Sequence, residues 1–265
     1  MGKITSVIVV SYNSEDFIEK CIKSLLTYLP KDCEIIVIDN NSNDQSVKLL
    51  EKFVPKIKLL KSKENLGFSR GNNRAVKQSQ GKYLFFLNPD TEIKKPIFNE
   101  LVNFYEKVED CGIVGPRLVL PDSTVQESVN NLPTIWGAIK EFIFGIKYTY
   151  SQYAPQTDKL VEVESVYGAA MLIKKDLFDK VGGFDEKYFL YYEDMDLCKK
   201  VRALGKKIYY YPKVEITHLV GAAKSDRNRY ELNYESFVKY HGWLESNILQ
   251  LIFLVPRLRR RIGLT

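Results

Sequence analysis

The sequence predicts an α/β fold in which a mostly parallel central sheet carries helices on both faces, with a Rossmann-like N-terminal half. Three observations predict this fold. Up to residue 116, short apolar runs alternate with amphipathic stretches of helical period, an order that is typical of β-α-β units. The apolar runs are nearly continuous, as in strands that are covered on both faces. With 265 residues, of which 45% are hydrophobic, the chain can bury a sizeable core as one globular domain.

In the N-terminal half, predicted strands and helices follow one another strictly. The strands are predicted at 6–12, 34–39, 57–61, 82–88 and 111–116, and the helices at 14–29, 44–53, 68–79 and 96–108. In the first helix, apolar residues recur at the helical period, Ser14 is the predicted cap, and Pro30 ends the helix.

The C-terminal half is less regular. Residues 118–126 predict a small hairpin that turns at Pro121 and Asp122, and residues 127–160 carry no clear period. Strands are predicted at 163–175, 207–212 and 215–219, and helices at 193–205 and 227–242. No internal repeat or low-complexity linker interrupts the chain, so one domain with an appended tail is expected.

Charge and cysteine usage narrow the class of protein. The net charge is +6, and four arginines between residues 257 and 261 supply most of it. Because the basic bias is confined to the tail, no nucleic-acid partner is expected. The cysteines form no Cys-x-x-Cys pair and read as reduced thiols of a cytoplasmic protein; they are Cys21, Cys33, Cys111 and Cys198.

Polar residues follow three of the predicted strands at the point where each strand ends. The first strand ends at Tyr12 and Asn13, the second at Asp39, and the fourth at Asn88 with Asp90 just after it. In open α/β sheets, ligands bind outside the carboxyl ends of the strands. Each aspartate alone is equally explained as a loop or cap residue. Together, with no glycine-rich phosphate loop, they favour a nucleotide site whose phosphates are held by a metal ion.

A second acidic cluster opens the helix predicted at 193–205. Glu193, Asp194 and Asp196 lie in its first turn, where simple complementation of the helix dipole also explains them. A helix start can equally hold one carboxylate in place as a general base. His218 follows a short strand, and a lone histidine near aromatic residues is more often structural than catalytic.

The motifs together resemble the inverting family-2 glycosyltransferases of the GT-A fold, and more narrowly their bacterial rhamnosyltransferase-like branch. The matching stretches run in family order from residue 8 to residue 225: IVVSYN, IIVIDNNSNDQS, NLGFSRGNNRA, YLFFLNPDTE, YGAAMLIKK, GGFDEKYFLYYEDMDLCKKVRALG and HLVGAAKS. Each stretch alone is only weakly specific for the family, but the complete set in this order is a strong indication of it.

The resemblance implies a metal site and a catalytic base. Asp90 would hold a divalent cation, Mg²⁺ or Mn²⁺, that bridges the two phosphates of a sugar donor, and His218 would complete that site. Asn88 stands where the general family has aspartate, which removes one negative charge, whereas the rhamnosyltransferase-like branch commonly reads Asn-Pro-Asp. Asp194 would be the base that activates an acceptor hydroxyl.

The resemblance also implies the residues that contact substrate. Asp39 would accept a hydrogen bond from a uracil or thymine base, and Asn73 with Arg70 would lie over the nucleotide. The other expected substrate contacts lie in the matching stretches: Tyr12, Asn13, Asn88, Gly168 and Glu193. Residues 1–117 would then form the nucleotide-sugar-binding half, 118–242 the acceptor-binding and catalytic half of the same domain, and 243–265 a basic-apolar tail.

The implied activity is transfer of a sugar, with L-rhamnose from dTDP-L-rhamnose expected first, to a hydroxyl of a cell-surface polysaccharide or lipid-linked glycan. A donor carrying a UDP-hexose or UDP-N-acetylhexosamine is the alternative within the fold. A nucleotidyltransferase would need a basic glycine-rich loop after the first strand, which SYNSEDFIEK lacks. A non-catalytic relative that binds nucleotide sugars is the third reading, and the intact acidic residues argue against it.

The tail at 247–261 joins an apolar run to the arginine cluster. The run from Ile248 to Val255 is far shorter than the ~20 residues that span a bilayer. Two readings remain: a last helix packed on the core with a solvated basic end, or a peripheral anchor whose arginines meet anionic lipid. The second predicts a cytoplasmic protein attached to the inner face of the cell membrane.

Overall fold

The computed structural model describes residues 4–221 and 228–261. The strands are β1 (Thr5–Ser11), β2 (Glu34–Asp39), β3 (Lys58–Lys61), β4 (Tyr83–Leu87), β5 (Thr91–Glu92), β6 (Cys111–Val119), β7 (Val129–Asn130), β8 (Val161–Val163), β9 (Ser165–Val166), β10 (Ala170–Lys174) and β11 (Lys207–His218). The helices are α1 (Ile18–Tyr28), α2 (Ser46–Glu51), α3 (Gly67–Val76), α4 (Phe98–Lys107), α5 (Ile135–Ala138), a π-helical segment Ile139–Ile143, α6 (Lys175–Lys180), α7 (Glu193–Ala203) and α8 (Arg229–Arg261).

One large sheet organises the molecule, with strand order β3-β2-β1-β4-β10-β6-β11-β5 and β8 paired to β11. Strands β1, β2, β3 and β4 run parallel to one another, and β6 is parallel to β11. β10 lies between β4 and β6 and runs antiparallel to both. The carboxyl ends of β1, β2 and β4 therefore meet at one edge. The predicted boundary after residue 117 falls inside β6, and the three-part division stays a prediction.

The alternation of side chains along the strands builds two apolar layers. In β1, Val7 and Val9 face a layer that is covered by α1 and α4. Ile8 faces the opposite layer, which includes apolar residues of α3, α6 and α7. Since successive strand residues point to opposite faces, a run that is apolar throughout requires helices on both sides. The predicted α/β fold is thus confirmed.

Three boundaries differ from the sequence prediction. α1 begins at Ile18 rather than near residue 14, because the Ser14 side chain accepts a hydrogen bond from the Tyr12 backbone N–H instead of capping the helix. The strand predicted at 163–175 is divided into β9 and β10. The two strands predicted at 207–219 are one strand, β11, with an irregular register between Tyr211 and Glu215. The small hairpin near Pro121 is confirmed by the Val119–Val125 bridge.

The C-terminal helix α8 folds back on itself at Gly242, whose φ of 76° is not helical. The Gln250 side chain donates to the Tyr234 hydroxyl at 3.2 Å, and the rings of Phe237 and Phe253 lie 6.2 Å apart. Sixteen residues of straight helix would separate each pair by about 24 Å. α8 is therefore a hairpin of a first arm, 229–241, and a second arm, 243–261.

The second arm packs on the domain by one side only. Leu249 and Ile252 are buried against Ala138 and its neighbours, which include Phe142 of the π-helical segment. Trp243 and Leu244 are 76% and 67% exposed. One face of this arm is therefore packed on the domain, as the packed-helix interpretation of the tail expects, and the opposite face is exposed. Across residues 4–221 and 228–261, no helix has the length and apolar character needed to cross a bilayer.

Candidate active site

The carboxyl ends of β1, β2 and β4 bring the predicted donor residues to one rim. The register pairs Ser11 of β1 with Asp39 of β2, and Tyr12 is the residue that follows Ser11. A narrow cleft of about 80 Å³ is lined by Tyr12, Asn88 and Gly67, among others. Asn88 also lines a much larger cleft of about 980 Å³. Asn88 thus lies where the two clefts meet.

Asp39 is buried and is held by one neighbouring serine. The Ser42 hydroxyl donates to Oδ1 at 2.6 Å, and the Ser42 backbone N–H donates to Oδ2 at 3.0 Å. Each carboxylate oxygen has a second lone pair, so Asp39 retains capacity to accept a hydrogen bond from a ligand. The serine fixes the orientation of the carboxylate before any ligand arrives.

Asn13 joins the loops that follow β1 and β2. Its backbone is left-handed, with φ of 47°, a conformation that asparagine tolerates better than most residues. Its side-chain oxygen accepts from the Asn43 backbone N–H at 2.8 Å, and its own N–H donates to the Ser42 hydroxyl at 2.9 Å. Asn13 therefore shapes the rim around Asp39.

Asp90 and His218 form a buried pair beside the large cleft. His218 Nε2 lies 3.2 Å from Asp90 Oδ1, because β11 pairs antiparallel with β5 and sets His218 opposite Thr91. His218 Nδ1 lies 2.8 Å from Gln126 Oε1. Since an amide oxygen only accepts, Nδ1 must carry the hydrogen. In neutral histidine, the lone pair of Nε2 then faces the carboxylate.

A hydrogen on Nε2 would make this contact an ion pair, and a divalent cation lying against both atoms would equally offset their repulsion, so the pair supplies two atoms that could ligate such a cation. Among the described residues, no group of three or more His, Cys, Asp or Glu side chains is arranged to hold a metal ion. Mg²⁺ commonly takes only one or two protein ligands and completes its shell with water and substrate phosphates. Asp90 and His218 match that incomplete ligand set, while Gly221 N–H holds the second Asp90 oxygen at 2.8 Å.

The start of α7 presents two adjacent carboxyl groups to the large cleft. Asp194 accepts backbone hydrogen bonds from Gly168 N–H at 3.0 Å and from Met195 N–H at 2.8 Å. Glu193 is 5% exposed, and its Oε2 has no hydrogen-bond partner among the described residues. Burial raises the pKa of Asp194, and burial followed by the charge of Asp194 raises the pKa of Glu193 well above its usual range.

The hydrogen bonds separate the roles of these two carboxyl groups. Two backbone N–H donors favour the ionised form of Asp194, whereas Glu193 has no donor to stabilise a charge at Oε2. When two neighbouring groups differ in environment, the better-solvated or better-bonded one carries the charge. The two environments therefore favour negative charge on Asp194 more than on Glu193.

Strained backbone precedes this pair. Tyr191 and Tyr192 both have left-handed φ, 73° and 69°, which costs roughly 1–3 kcal/mol for each non-glycine residue. Tyr192 is held by its packing on Tyr240, with ring centroids 5.3 Å apart. Val220, beside His218, is also left-handed at φ 53°. Because such strain persists only where surrounding structure enforces it, these turns mark the cleft as a functional region.

The large cleft gathers five of the predicted residues: Asn88, Gly168, Glu193, Asp194 and His218. Other lining residues were missed from the sequence, among them Gln126, Tyr167 and Tyr191. Gln126 contacts a histidine 92 positions away, and no local pattern signals such a contact. A left-handed tyrosine likewise has no sequence signature.

Arg70 and Asn73 lie on α3 but, unlike Gly67 of the same helix, they line neither of the two clefts. The Asn73 amide donates to Phe184 O at 2.8 Å and accepts from Phe184 N–H at 3.1 Å. Arg70 is half-exposed and lies 3.6 Å from Glu64 and 3.9 Å from Glu186. Asn73 thus clamps the loop after α6, and its expected contact with a nucleotide stays a prediction, as does that of Arg70.

Comparisons with known proteins identify the family of this chain and several relatives. A family model described as "Glycosyl transferase family 2" matches residues 6–182, and one described as "N-terminal domain of galactosyltransferase" matches residues 149–238. The chain is 25% identical over 235 residues to N-acetylglucosaminyl-diphospho-decaprenol L-rhamnosyltransferase of Mycobacterium tuberculosis, covering 82% of this chain and 76% of the relative. It is 29% identical to rhamnosyltransferase WbbL of Escherichia coli, covering 80% and 82%.

A solved structure shares the fold. GalNAc-T7, crystallised with UDP, GalNAc and Mn²⁺, superposes with a TM-score of 0.69 at 15% identity, covering 93% of this chain and 49% of that one. The chain therefore spans about half of that solved protein. At this identity the likeness shows the fold alone, and it confirms the predicted GT-A architecture.

Proposed function

The chain belongs to glycosyl transferase family 2, and on that premise we propose that it is an inverting transferase that moves L-rhamnose from dTDP-L-rhamnose to a hydroxyl of a lipid-linked glycan or a cell-surface polysaccharide. The observation that carries the proposal is the large cleft, which has the Asp194 carboxylate on one wall and His218, paired with Asp90, on another. The two rhamnosyltransferase relatives support the choice of sugar. A UDP-hexose or UDP-N-acetylhexosamine donor is the alternative in the same site.

The donor binds along the strand-end rim. Asp39 accepts the N3–H of a thymine or uracil base with the oxygen lone pairs that Ser42 leaves open. Tyr12 lines the narrow cleft beside it, and Asn88 lies at the passage from this cleft into the large one. The nucleotide therefore lies over the N-terminal half and directs its sugar toward Asp194.

Asp90 and His218 would hold the divalent cation with which the donor diphosphate binds. When bound, such a cation neutralises negative charge that develops on a departing diphosphate. The uncharged Asn88, in place of a second carboxylate, leaves this site with a single protein anion in Asp90. We therefore expect the cation to bind weakly to the protein alone and more tightly when the donor is present.

Asp194 acts as the general base. The acceptor hydroxyl loses its proton to the carboxylate as its oxygen bonds to the anomeric carbon. The bond between that carbon and the diphosphate oxygen breaks in the same step, and its electron pair leaves with the nucleoside diphosphate. Attack opposite the leaving group inverts the anomeric centre, as in inverting glycosidases.

Glu193 serves this step as a neutral neighbour. As a carboxylic acid it places no second negative charge beside Asp194, and its O–H can donate to an oxygen of the acceptor sugar. Gly168 N–H orients the Asp194 carboxylate at 3.0 Å.

Peripheral attachment to an anionic membrane fits a lipid-linked acceptor. Trp243 and Leu244 are exposed on the second arm of α8, and the four arginines at 257–261 follow along the sequence; their side chains lie outside the described residues. Each arginine near an anionic surface contributes roughly 1 kcal/mol, or about 4 kcal/mol together. The name of the mycobacterial relative specifies an acceptor carried on decaprenol.

A donor-hydrolysis assay tests the proposed activity. Purified protein with Mn²⁺ is incubated with dTDP-L-rhamnose, UDP-glucose or UDP-N-acetylglucosamine, and the released nucleoside diphosphate is measured. We expect release from dTDP-L-rhamnose that depends on Asp194. Binding of all three donors without any release would favour the non-catalytic reading, and release from a UDP-sugar alone would favour the alternative donor.

A further inference from the structure

The segment from residue 134 to residue 151 forms a loop beside the large cleft. The chain runs out along α5 and the π-helical segment and turns back at Gly145, where φ is 75°. The inner side of the loop lines the large cleft through Phe142, Tyr150 and Ser151. The loop is therefore part of the wall of the candidate active site.

Glu141 holds the two limbs of this loop together. One carboxylate oxygen accepts hydrogen bonds from the backbone N–H groups of Thr149, Tyr150 and Ser151, at 2.8, 2.8 and 3.1 Å. The other oxygen accepts from the Ser151 hydroxyl. The Thr149 hydroxyl donates to Gly137 O at 2.9 Å, and a Cβ at Gly137 would lie only 2.4 Å from Thr149 O. Because the limbs are bonded to each other so closely, the turn between them is held in place.

The outer side of the same loop exposes large apolar side chains. Trp136 and Phe144 are 60% and 66% exposed, and Ile146 and Tyr148 are about half-exposed. We call these four residues the apolar tip. Large apolar side chains that are exposed within one short segment commonly mark contact with a partner or a membrane. A loop that is held this firmly and still exposes such side chains is suited to that kind of contact.

The charges of the loop are divided between its two sides. Its cations are Lys140 and Lys147, and neither has an ion pair within the part of the chain that the structure describes. Lys140 Nζ lies 5.9 Å from the centre of the Trp136 ring. Glu141, the one acidic residue between positions 134 and 151, is bonded to the returning limb. Within this loop, the apolar tip is therefore flanked by positive charge alone.

We propose that the apolar tip inserts into the interfacial layer of an anionic lipid bilayer, with Lys140 and Lys147 at the headgroups. Tryptophan and tyrosine are enriched at that depth, and lysine is attracted to an anionic surface. The inference rests on the membrane attachment in the proposed function and deepens it, since it names a second contact that is separate from the arginine tail. The large cleft, which the inner side of the loop lines, then lies beside the membrane surface.

A second copy of this chain would fit the apolar tip less well. In a two-fold dimer the same patch meets itself, so the lysines of one copy would face those of its partner. No carboxylate of the loop would offset them, because Glu141 is bonded inward. An anionic bilayer neutralises both lysines while it removes the apolar side chains from water. The charge pattern therefore favours lipid over self-association.

The chain has two tryptophans, Trp136 and Trp243, so the tip can be observed alone. In the full-length Trp243→Phe variant, we expect Trp136 emission to shift to shorter wavelength with phosphatidylglycerol vesicles. Lipids that are brominated on the acyl chain should quench it. Unshifted and unquenched emission from vesicle-bound protein would overturn the proposal. A shift without lipid that grows with protein concentration, with dimers in sedimentation, would show a self-contact and would also overturn it.

Matched variants measure the contribution of the tip. Ile146→Glu should weaken binding to phosphatidylglycerol vesicles at least tenfold, or about 1.4 kcal/mol, because it places a negative charge among anionic headgroups. Val54→Glu is the control, since Val54 is exposed to the same extent, 51% against 52%, and lies between α2 and β3 at the amino end of the parallel strands. Its affinity should stay within twofold of wild type. Equal loss in both variants would show an effect of net charge alone and would contradict the proposal.

Two further measurements separate the tip from the tail and from the activity. With the four arginines at 257–261 replaced by glutamine, brominated lipid should still quench Trp136 once enough lipid is present to bind the protein; bound but unquenched protein would contradict insertion of the tip. Donor hydrolysis by wild type without quenching of Trp136 would leave the proposed activity standing and remove the tip assignment. Vesicle binding that depends on Ile146, without donor hydrolysis, would do the reverse.

Discussion

The donor rim and the acceptor side of this molecule are built in different ways. The rim uses the ends of buried parallel strands, where Asp39 and Asp90 are fixed by backbone hydrogen bonds from Ser42 and Gly221. The acceptor side uses left-handed tyrosines and a helical hairpin, with a buried carboxyl oxygen of Glu193 that has no partner among the described residues. Strand ends hold the proposed donor-binding residues, whereas a tyrosine turn and a helical hairpin shape the proposed acceptor side. Left-handed backbone occurs in both parts, at Asn13 on the rim and at Tyr191 and Tyr192 on the acceptor side.

Loss of the general base should prevent deprotonation of the acceptor and leave donor binding at the rim intact. Among the predictions, this change has the largest expected effect. Asp194→Asn should reduce transfer by about 10³-fold or more, since a general base contributes that much. The control is Asp196→Asn, which alters a carboxylate on the same helix that pairs with Lys200 and does not line the cleft. Turnover of Asp194→Asn within tenfold of wild type would remove the assignment.

Loss of the basic tail should weaken membrane attachment and have little effect on donor binding at the rim. Replacing the four arginines at 257–261 by glutamine should weaken binding to anionic phosphatidylglycerol vesicles by several hundred-fold at low salt, because each arginine contributes roughly 1 kcal/mol. Vesicle flotation measures it, with phosphatidylcholine vesicles as control. Equal binding of wild type to neutral vesicles, or no loss on substitution, would leave only the packed-helix interpretation.

Loss of the cation site should weaken donor binding at the rim and leave the acceptor side intact. Asp90→Asn and His218→Ala should each weaken Mn²⁺-dependent binding of dTDP by roughly 10- to 100-fold, the usual range for groups at a metal site. Calorimetric titration of dTDP with Mn²⁺ and with EDTA measures the effect. If EDTA leaves the transfer rate of wild type unchanged, the cation has no part in the reaction.

The pH dependence of transfer sharpens the division of roles inside the acceptor side. Because burial raises the pKa of Asp194, kcat/KM should fall as the pH drops through that raised value, where the base becomes protonated. If Glu193 is neutral, Glu193→Gln removes no charge, and the acidic limb should stay within about 0.3 pH units of wild type. A limb that moves clearly to lower pH would show that Glu193 was an anion. Glu193→Ala should lower kcat/KM. If Glu193→Gln retains kcat/KM, the role of Glu193 rests on a hydrogen bond or on its volume and needs no negative charge.

The rim was largely predictable from the sequence, and the acceptor side was not. An apolar run that ends in a polar residue predicts a strand and also the edge of the sheet at which that residue lies. Asp39, Asn88 and Asp90 could therefore be placed at the same edge. The start of α1 was misplaced because Ser14 bonds to Tyr12 in a turn, a local alternative that competes with capping.

The acceptor side depends on contacts that no local pattern carries. The same holds at the cation site on the rim, where the contact between Gln126 and His218 joins residues 92 positions apart. Gly242 was predicted as a helix end, but the return of the second arm onto Phe142 follows from tertiary packing. The cavity between the two arms of α8 exists only once that hairpin has formed.

The affinity for dTDP in the presence of Mn²⁺, compared among wild type, Asp194→Asn and Asp90→Asn, tests most directly the claim that donor activation and acceptor deprotonation belong to separate parts of the chain. Asp194→Asn should bind dTDP within twofold of wild type, whereas Asp90→Asn should bind it at least tenfold more weakly. Equal weakening in both variants, or full affinity in Asp90→Asn, would contradict that separation.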